Sequence, residues 1–160
     1  MKCIVLDLDN TIADDEWRIP AIKWDEKNMF LRYHNYHTLS AHDKVGNRHL
    51  FKNKKHIIVL TARPEFYRSQ TKAWLMANDI VPVFLGMRGK DDECHSRELK
   101  VKQMRDAMRF LSIKESDIAC AYDDREDVVQ AYLEMGIKVQ VVSIHDTCSY
   151  TKPKENHESN

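Results

Sequence analysis

Residues 5–16, "VLDLDNTIADDE", run an apolar segment straight into five carboxylates within ten positions. Carboxylates this close repel one another, so they mark either a solvated turn or a place where a divalent cation reverses the repulsion. Two more apolar runs end in polar residues of complementary chemistry: "IIVL" (57–60) in Thr61, and "IACAY" (118–122) in Asp123 and Asp124. Together with a lysine, this set suits phosphoryl transfer to an aspartate. At an ordinary Asp pKa of about 3.9, Asp7 is ionised and able to attack phosphorus. Its charge opposes approach to a phosphate dianion, and Mg²⁺ held by the aspartates would offset that repulsion. Asp7, Asp9, Asp123 and Asp124 are the expected metal group. Thr61 and backbone N–H groups after the first strand would hold phosphate oxygens, while a lysine neutralises developing charge. Asp9 would protonate the leaving oxygen and then take a proton from the hydrolytic water.

These residues need a frame that brings them to one place. "CIVL" (3–6), "IIVL" (57–60), "VFL" (83–85), "IACAY" (118–122) and "IKVQVVSI" (137–144) read as strands, separated by helical patterns. Residues 26–39 place Met29, Phe30, Tyr33, Tyr36 and His37 on one face, and Pro64 opens a helix carrying Tyr67, Thr71 and Trp74. Val101, Met104, Met108 and Leu111 form one further stripe; Val128, Tyr132 and Met135 form another, closed by Gly136. Such alternation predicts an α/β, Rossmann-like fold: a five-stranded parallel sheet with helices on both faces. Continuously apolar strands belong at its centre, whereas Pro82 and the half-alternating "IKVQVVSI" mark edges, giving the order 5-4-1-2-3. Ligands bind beyond the carboxyl ends of such strands, where Asp7, Asp9, Thr61, Asp123 and Asp124 all fall. One domain is expected over 1–148, with a small cap insertion at 12–56 and a polar tail at 149–160.

"DLDNT" (7–11), "LTARP" (60–64), "VK" (101–102) and "YDDRED" (122–127) resemble the four ordered motifs of haloacid dehalogenase-like phosphohydrolases. Within that superfamily the sequence is most similar to the phosphatase domain of phage-type polynucleotide kinase/phosphatases. The likeness extends over most of residues 2–145, through "ADDEWR", "TKAWL", "MR" and "EMGIKVQVV". It implies Asp7 as nucleophile, Asp9 as acid/base, Thr61 and Lys102 on the phosphate, and Arg63, Arg88 and Glu98 on the substrate side. It also implies Mg²⁺ as cofactor and a polynucleotide 3′-phosphate as substrate. Asn10 and Ala62 replace residues more usually Gly, Glu98 stands where Asp is expected, and Arg88 lies two residues further from Lys102 than expected. Lys100 is the rival for the lysine role. No GxxxxGK[ST] sequence occurs, so a kinase half is not expected in this chain.

Other readings compete for the same residues. A 5′-nucleotidase or other small-molecule phosphatase would use the same chemistry behind a larger cover, whereas a short insertion leaves room for a polymer end. A signalling receiver also phosphorylates an aspartate, but its acidic pair follows the first strand and it needs no counterpart of Asp9. His34, His37, His42 and Asp43 are compatible with a zinc site or with a packed helix face. Asp127 suits either the metal's surroundings or a helix start, and Asp14, Asp15 and Glu16 read as a solvated edge. The basic run Arg48, Lys52, Lys54 and Lys55 fits a nucleic-acid backbone or a solvated segment. Equal totals of 25 basic and 25 acidic residues argue against a bulk polyanion binder. Without CxxC spacing, a signal-peptide core or an apolar run near 20 residues, the expected setting is the cytoplasm (the host's, for a phage protein), with no membrane contact.

Overall fold

The computed structural model describes residues 1–146. The expected tail (149–160), and residues 147 and 148 of the expected domain, lie outside the described residues. In chain order the elements are β1 (Cys3–Leu6), β2 (Ala13–Asp14), α1 (Met29–Leu39), β3 (Lys44–Val45), β4 (Ile57–Pro64) and α2 (Arg68–Ala77). There follow β5 (Phe84–Arg88), α3 (Ser96–Leu111), β6 (Ile118–Asp123), α4 (Glu126–Glu134) and β7 (Val139–Val141). Five strands pair in parallel in the order β5-β4-β1-β6-β7. Numbered among themselves and read from the β7 edge, they give the order 5-4-1-2-3 expected from hydropathy. Among the described residues no helix is long and apolar enough to cross a membrane.

Alternation along the central strands divides the core. Cys3, Val5, Ile58, Leu60 and Ala121 face Met104, Ala107 and Met108 of α3 and Val128 and Tyr132 of α4. Ile4, Leu6, Ile57 and Val59 face the opposite way, against Trp74 and Leu75 of α2 and Ile12, Leu50 and Phe51 of the insertion. The insertion is small: β2 and β3 form a two-residue antiparallel pair, and short 3₁₀ turns link them to α1.

Several boundaries move for local reasons. Asn28 caps α1 by accepting from Leu31 N at 3.0 Å, so the helix starts at Met29. Of the residues expected on one face, only Tyr36 and His37 are buried. Pro64 closes β4 rather than opening a helix, and a 3₁₀ turn (Glu65–Tyr67) precedes α2. β7 stops at Val141; the chain then bends across the rim, and Ile144 N donates to Asn10 O at 2.8 Å.

Gly86 lets α3 approach the sheet. A Cβ there would lie 3.0 Å from Leu60 Cδ2 and 3.3 Å from both Gln103 Cβ and Cγ. Gly86→Val is expected to lower stability by about 1–3 kcal/mol through overpacking. The measurement is the urea unfolding midpoint; an unchanged midpoint would show that α3 has room to spare.

Candidate active site

The loop after β1 is wound tightly enough to aim two carboxylates. Thr11, Ile12 and Ala13 N–H groups all donate to Leu8 O at 2.9–3.0 Å, and Asn10 takes φ 61°. Asn tolerates that left-handed conformation better than most residues, which explains its place in the motif. Its amide also ties the rim together: Nδ2 donates to Asp124 Oδ2 (3.2 Å) and His145 O (3.0 Å), while Oδ1 accepts from His145 N (2.9 Å).

Asp7 continues from β1, its N–H donating to Tyr122 O of β6 at 3.0 Å. Thr11 Oγ1 donates to its Oδ2 at 2.8 Å, and Lys100 Nζ donates to its Oδ1 at 2.7 Å. The same ammonium donates to Asp123 Oδ2 at 3.0 Å and to Leu60 O at 2.6 Å. Burial works against the charge on Lys100, but Asp123 and Asp7 outweigh it and hold the pKa above the usual lysine range. Lys102, by contrast, is exposed and paired with Asp92 Oδ2 at 2.7 Å. The motif-based assignment of Lys102 is therefore corrected to Lys100. Two residues along a helix turn the side chain by about 200°, so only one of the pair can face the sheet. Lys100 lies four and seven residues before Met104 and Ala107 on the buried face, a periodicity legible in the sequence.

Asp7, Asp123 and Asp124 each offer an oxygen within 4.8 Å of the others. Burial and the charge of Asp7 push Asp123 up to about 6, against the pull of Lys100. Burial, Asp7 and Asp123 push Asp124 up to about 9. Burial and mutual repulsion thus raise both pKa values, and hard oxygen donors so arranged suit Mg²⁺. Thr61 is buried near the end of β4; its Oγ1 accepts from Arg63 N at 3.2 Å, and Gln103 Nε2 holds its carbonyl at 2.9 Å.

Asp9 stands in different company. Arg18 Nη2 reaches its Oδ1 at 2.5 Å and Arg63 Nη2 reaches the same oxygen at 2.6 Å. Both guanidinium groups also meet Asp43, Arg18 at 2.8 Å and Arg63 at 3.5 Å, and all four side chains are buried. Burial alone would raise the Asp9 pKa, but Arg63 and Arg18 pull it well below the carboxylate range. Asp43 is raised, burial outweighing its hydrogen bond from Arg18. Arg18 lies over the Tyr36 ring at 4.1 Å, and Tyr36 Oη donates to Asp15 Oδ2 at 2.5 Å. Two expectations change here. Arg63, expected on the substrate side, grips Asp9, the residue expected as acid/base, and the Asp9 carboxylate lies outside the Asp7/Asp123/Asp124 group. Asp15 is likewise buried rather than solvated; Asp14 and Glu16 pair with His145 at 2.9 and 2.7 Å.

Among the described residues, His34, His37, His42 and Asp43 do not gather as a ligand group. His34 Nδ1 shares a hydrogen bond with Tyr67 Oη at 2.6 Å, Asp43 turns to the arginines, and His37 is packed among rings. Burial pushes the His37 pKa down to about 3, despite the nearby Asp9 charge. Arg88 donates to the carbonyls of Asp92 (3.0 Å) and Cys94 (2.7 Å), and Glu98 is exposed in the first turn of α3. With Lys100 as the lysine, the two-residue excess in the Arg88 spacing disappears and Glu98 loses its motif position. Asp127 accepts from Arg125 Nε and Nη2 at 3.0 Å and from Val128 N at 2.9 Å, as a helix-start acid. Arg18 was not singled out by residue type, although "ADDEWR" contained it, and Asp43 was read only as part of a candidate zinc group.

The parallel sheet, the DxD loop, the inward lysine and the acidic pair define a haloacid dehalogenase-like phosphatase domain. Residues 1–146 match the family described as "Polynucleotide kinase PNKP phosphatase domain", and the chain belongs to that family. No curated protein matches. Among solved structures, a chain of the Pnkp1/Rnl/Hen1 RNA repair complex superimposes with TM-score 0.61 at 17% identity, covering 88% of this chain. This chain spans only 42% of that protein's length. A putative phosphatase from Clostridium difficile gives TM-score 0.61 at 14% identity, with 86% of this chain and 83% of that one covered. A HAD family enzyme from Bacteroides thetaiotaomicron, in complex with magnesium and inorganic phosphate, gives 0.54 at 11% identity, covering 88% and 93%.

The two lysines provide a direct check. Lys100→Met is expected to reduce phosphatase kcat/KM by about 10³-fold or more, and Lys102→Met to leave it within about twofold. Equal losses would return Lys102 to the site. Arg18→Met strands buried carboxylates and is expected to cost about 3–5 kcal/mol of stability, read from denaturant unfolding. A loss below about 1 kcal/mol would mean that Arg63 alone satisfies Asp9 and Asp43.

Proposed function

We propose that the chain is a Mg²⁺-dependent polynucleotide 3′-phosphatase acting in nucleic-acid end repair. The observation that carries this reading is the buried Asp7 carboxylate, oriented by Thr11 and Lys100 beside the Asp123/Asp124 pair. The family's polynucleotide description and the fold shared with a protein of an RNA repair complex support the substrate class. The magnesium-and-phosphate complex of a structural neighbour supports the cofactor.

In this scheme a carboxylate oxygen of Asp7 attacks phosphorus, and the bond from phosphorus to the sugar oxygen breaks. That oxygen takes a proton from Asp9. Water, giving a proton to Asp9, then attacks the aspartyl-phosphate, releasing inorganic phosphate and restoring the Asp7 carboxylate. Lys100 neutralises charge developing beside Asp7, and Thr61 holds a phosphate oxygen. Mg²⁺, held by Asp7, Asp123 and Asp124, would supply the charge that lets one anion approach another. Arg18 and Arg63 hold Asp9 ionised in the free protein, so the proton it delivers is one taken up from solvent as the substrate binds.

The test compares phosphate release from matched 3′-phosphorylated and 5′-phosphorylated oligonucleotides and from mononucleotides. Release is expected chiefly from the 3′-phosphorylated oligonucleotide, to stop on chelation of Mg²⁺, and to fall on the order of 10⁴-fold in Asp7→Asn. Preference for mononucleotides would favour a nucleotidase, and undiminished turnover in Asp7→Asn would exclude the mechanism.

A further inference from the structure

Beside the acidic rim lies a cluster of rings that the core does not absorb. Phe66, in the turn after β4, is 72% exposed, and Phe30, in the first turn of α1, is 43% exposed. Their rings meet edge to face at 5.2 Å, and Phe30 lies parallel to the buried Tyr67 ring at 6.2 Å. His34 leans on Phe30 at 5.2 Å while hydrogen-bonded to the Tyr67 hydroxyl, so both exposed rings have a fixed backing.

The cluster is continuous with the site. Tyr67 is 5.1 Å from His37, His37 is 5.1 Å from Tyr36, and Arg18 lies over Tyr36 while gripping Asp9. Phe66 follows Arg63 by three residues, at most about 11 Å of chain. Exposed π-faces backed by packed rings, a few residues along the chain from a phosphate-processing site, match how proteins hold unpaired bases. A base offers a π-face whatever its identity.

We infer that Phe66 and Phe30, backed by Tyr67 and His34, form a stacking platform for the bases next to the phosphorylated end of a single-stranded nucleic acid. The inference rests on the polynucleotide-phosphatase reading and deepens it: the phosphate lies at Asp7, and the rings hold the strand that carries it. Duplex ends must fray to use the platform.

The experiment measures kcat/KM on three substrates: a 3′-phosphorylated single-stranded oligonucleotide, its counterpart with abasic sugars at the last two positions, and p-nitrophenyl phosphate. Wild type is expected to prefer the base-bearing strand by about tenfold or more. Phe66→Ala and Phe30→Ala are expected to erase most of that preference through KM, and Phe66→Trp to keep it. Turnover of p-nitrophenyl phosphate stays unchanged in all three. Retained preference in both alanine variants, or equal losses on p-nitrophenyl phosphate, would overturn the platform. A binding arm separates this inference from the functional reading, using fluorescein-labelled strands and the Asp7→Asn chain. Base-dependent binding that Phe66→Ala abolishes upholds the platform even if wild type releases no phosphate from the oligonucleotide. Binding indifferent to the bases overturns it even if the 3′-phosphate is released. Sedimentation showing a dimer that Phe66→Ala dissolves, with substrate preference intact, would make the patch a self-contact and also overturn it.

Discussion

One ammonium group organises the rim. Lys100 Nζ is buried against Asp7 of the β1 loop, Asp123 at the end of β6 and the Leu60 carbonyl of β4. It thereby joins three strands to α3. Two carboxylates at the ends of neighbouring strands would force each other apart or stay protonated without it. The lysine reaches them only because α3 packs closely over Gly86, with Gln103 one turn along bonded to Thr61. A packing constraint in β5 and a charge constraint in β1 and β6 are thus met by the same helix.

Charge balance then divides the site into two halves. The half at Asp9 and Asp43 is closed by Arg18 and Arg63, all deep in the protein. The half at Asp7, Asp123 and Asp124 has, among the described residues, one lysine for three carboxylates, and burial beside Asp7 and Asp123 raises the Asp124 pKa. A nucleophile must be ionised beside its phosphate, so the incomplete half is the one where a dication has chemical work to do. The complete half holds Asp9, the proposed acid/base residue, in position through buried hydrogen bonds, with Tyr36 and Asp15 behind it.

Much of this was legible in the sequence. Continuously apolar strands marked the sheet's centre, and polar residues after three of them marked one rim. Both signals come from burial and strand direction, which residue type reports well. The lysine was misassigned because a two-residue motif was weighed above helical phase; the period through Met104 and Ala107 points to Lys100. The pairing of Arg18 with Asp43, which had been grouped with the histidines, escaped notice because no local pattern announces a contact across 25 positions. Asp15 was misread for a related reason: beside Asp14 and Glu16 it looks solvated, but the Tyr36 hydroxyl from α1 donates to it and helps make its burial tolerable. The exposed Phe30 of α1 matched the helix face by period, but period alone does not say which turns of a helix are covered.

The central claim is that Asp7 forms the covalent link to phosphorus. Its most direct measurement is acid quenching during turnover of a 3′-³²P-phosphorylated oligonucleotide with Mg²⁺, followed by peptide mapping of the labelled protein. The account predicts a hydroxylamine-labile phosphoryl group on the peptide containing Asp7, absent from Asp7→Asn. Turnover that leaves no label on the protein under pre-steady-state sampling, or label on a different residue, would contradict it.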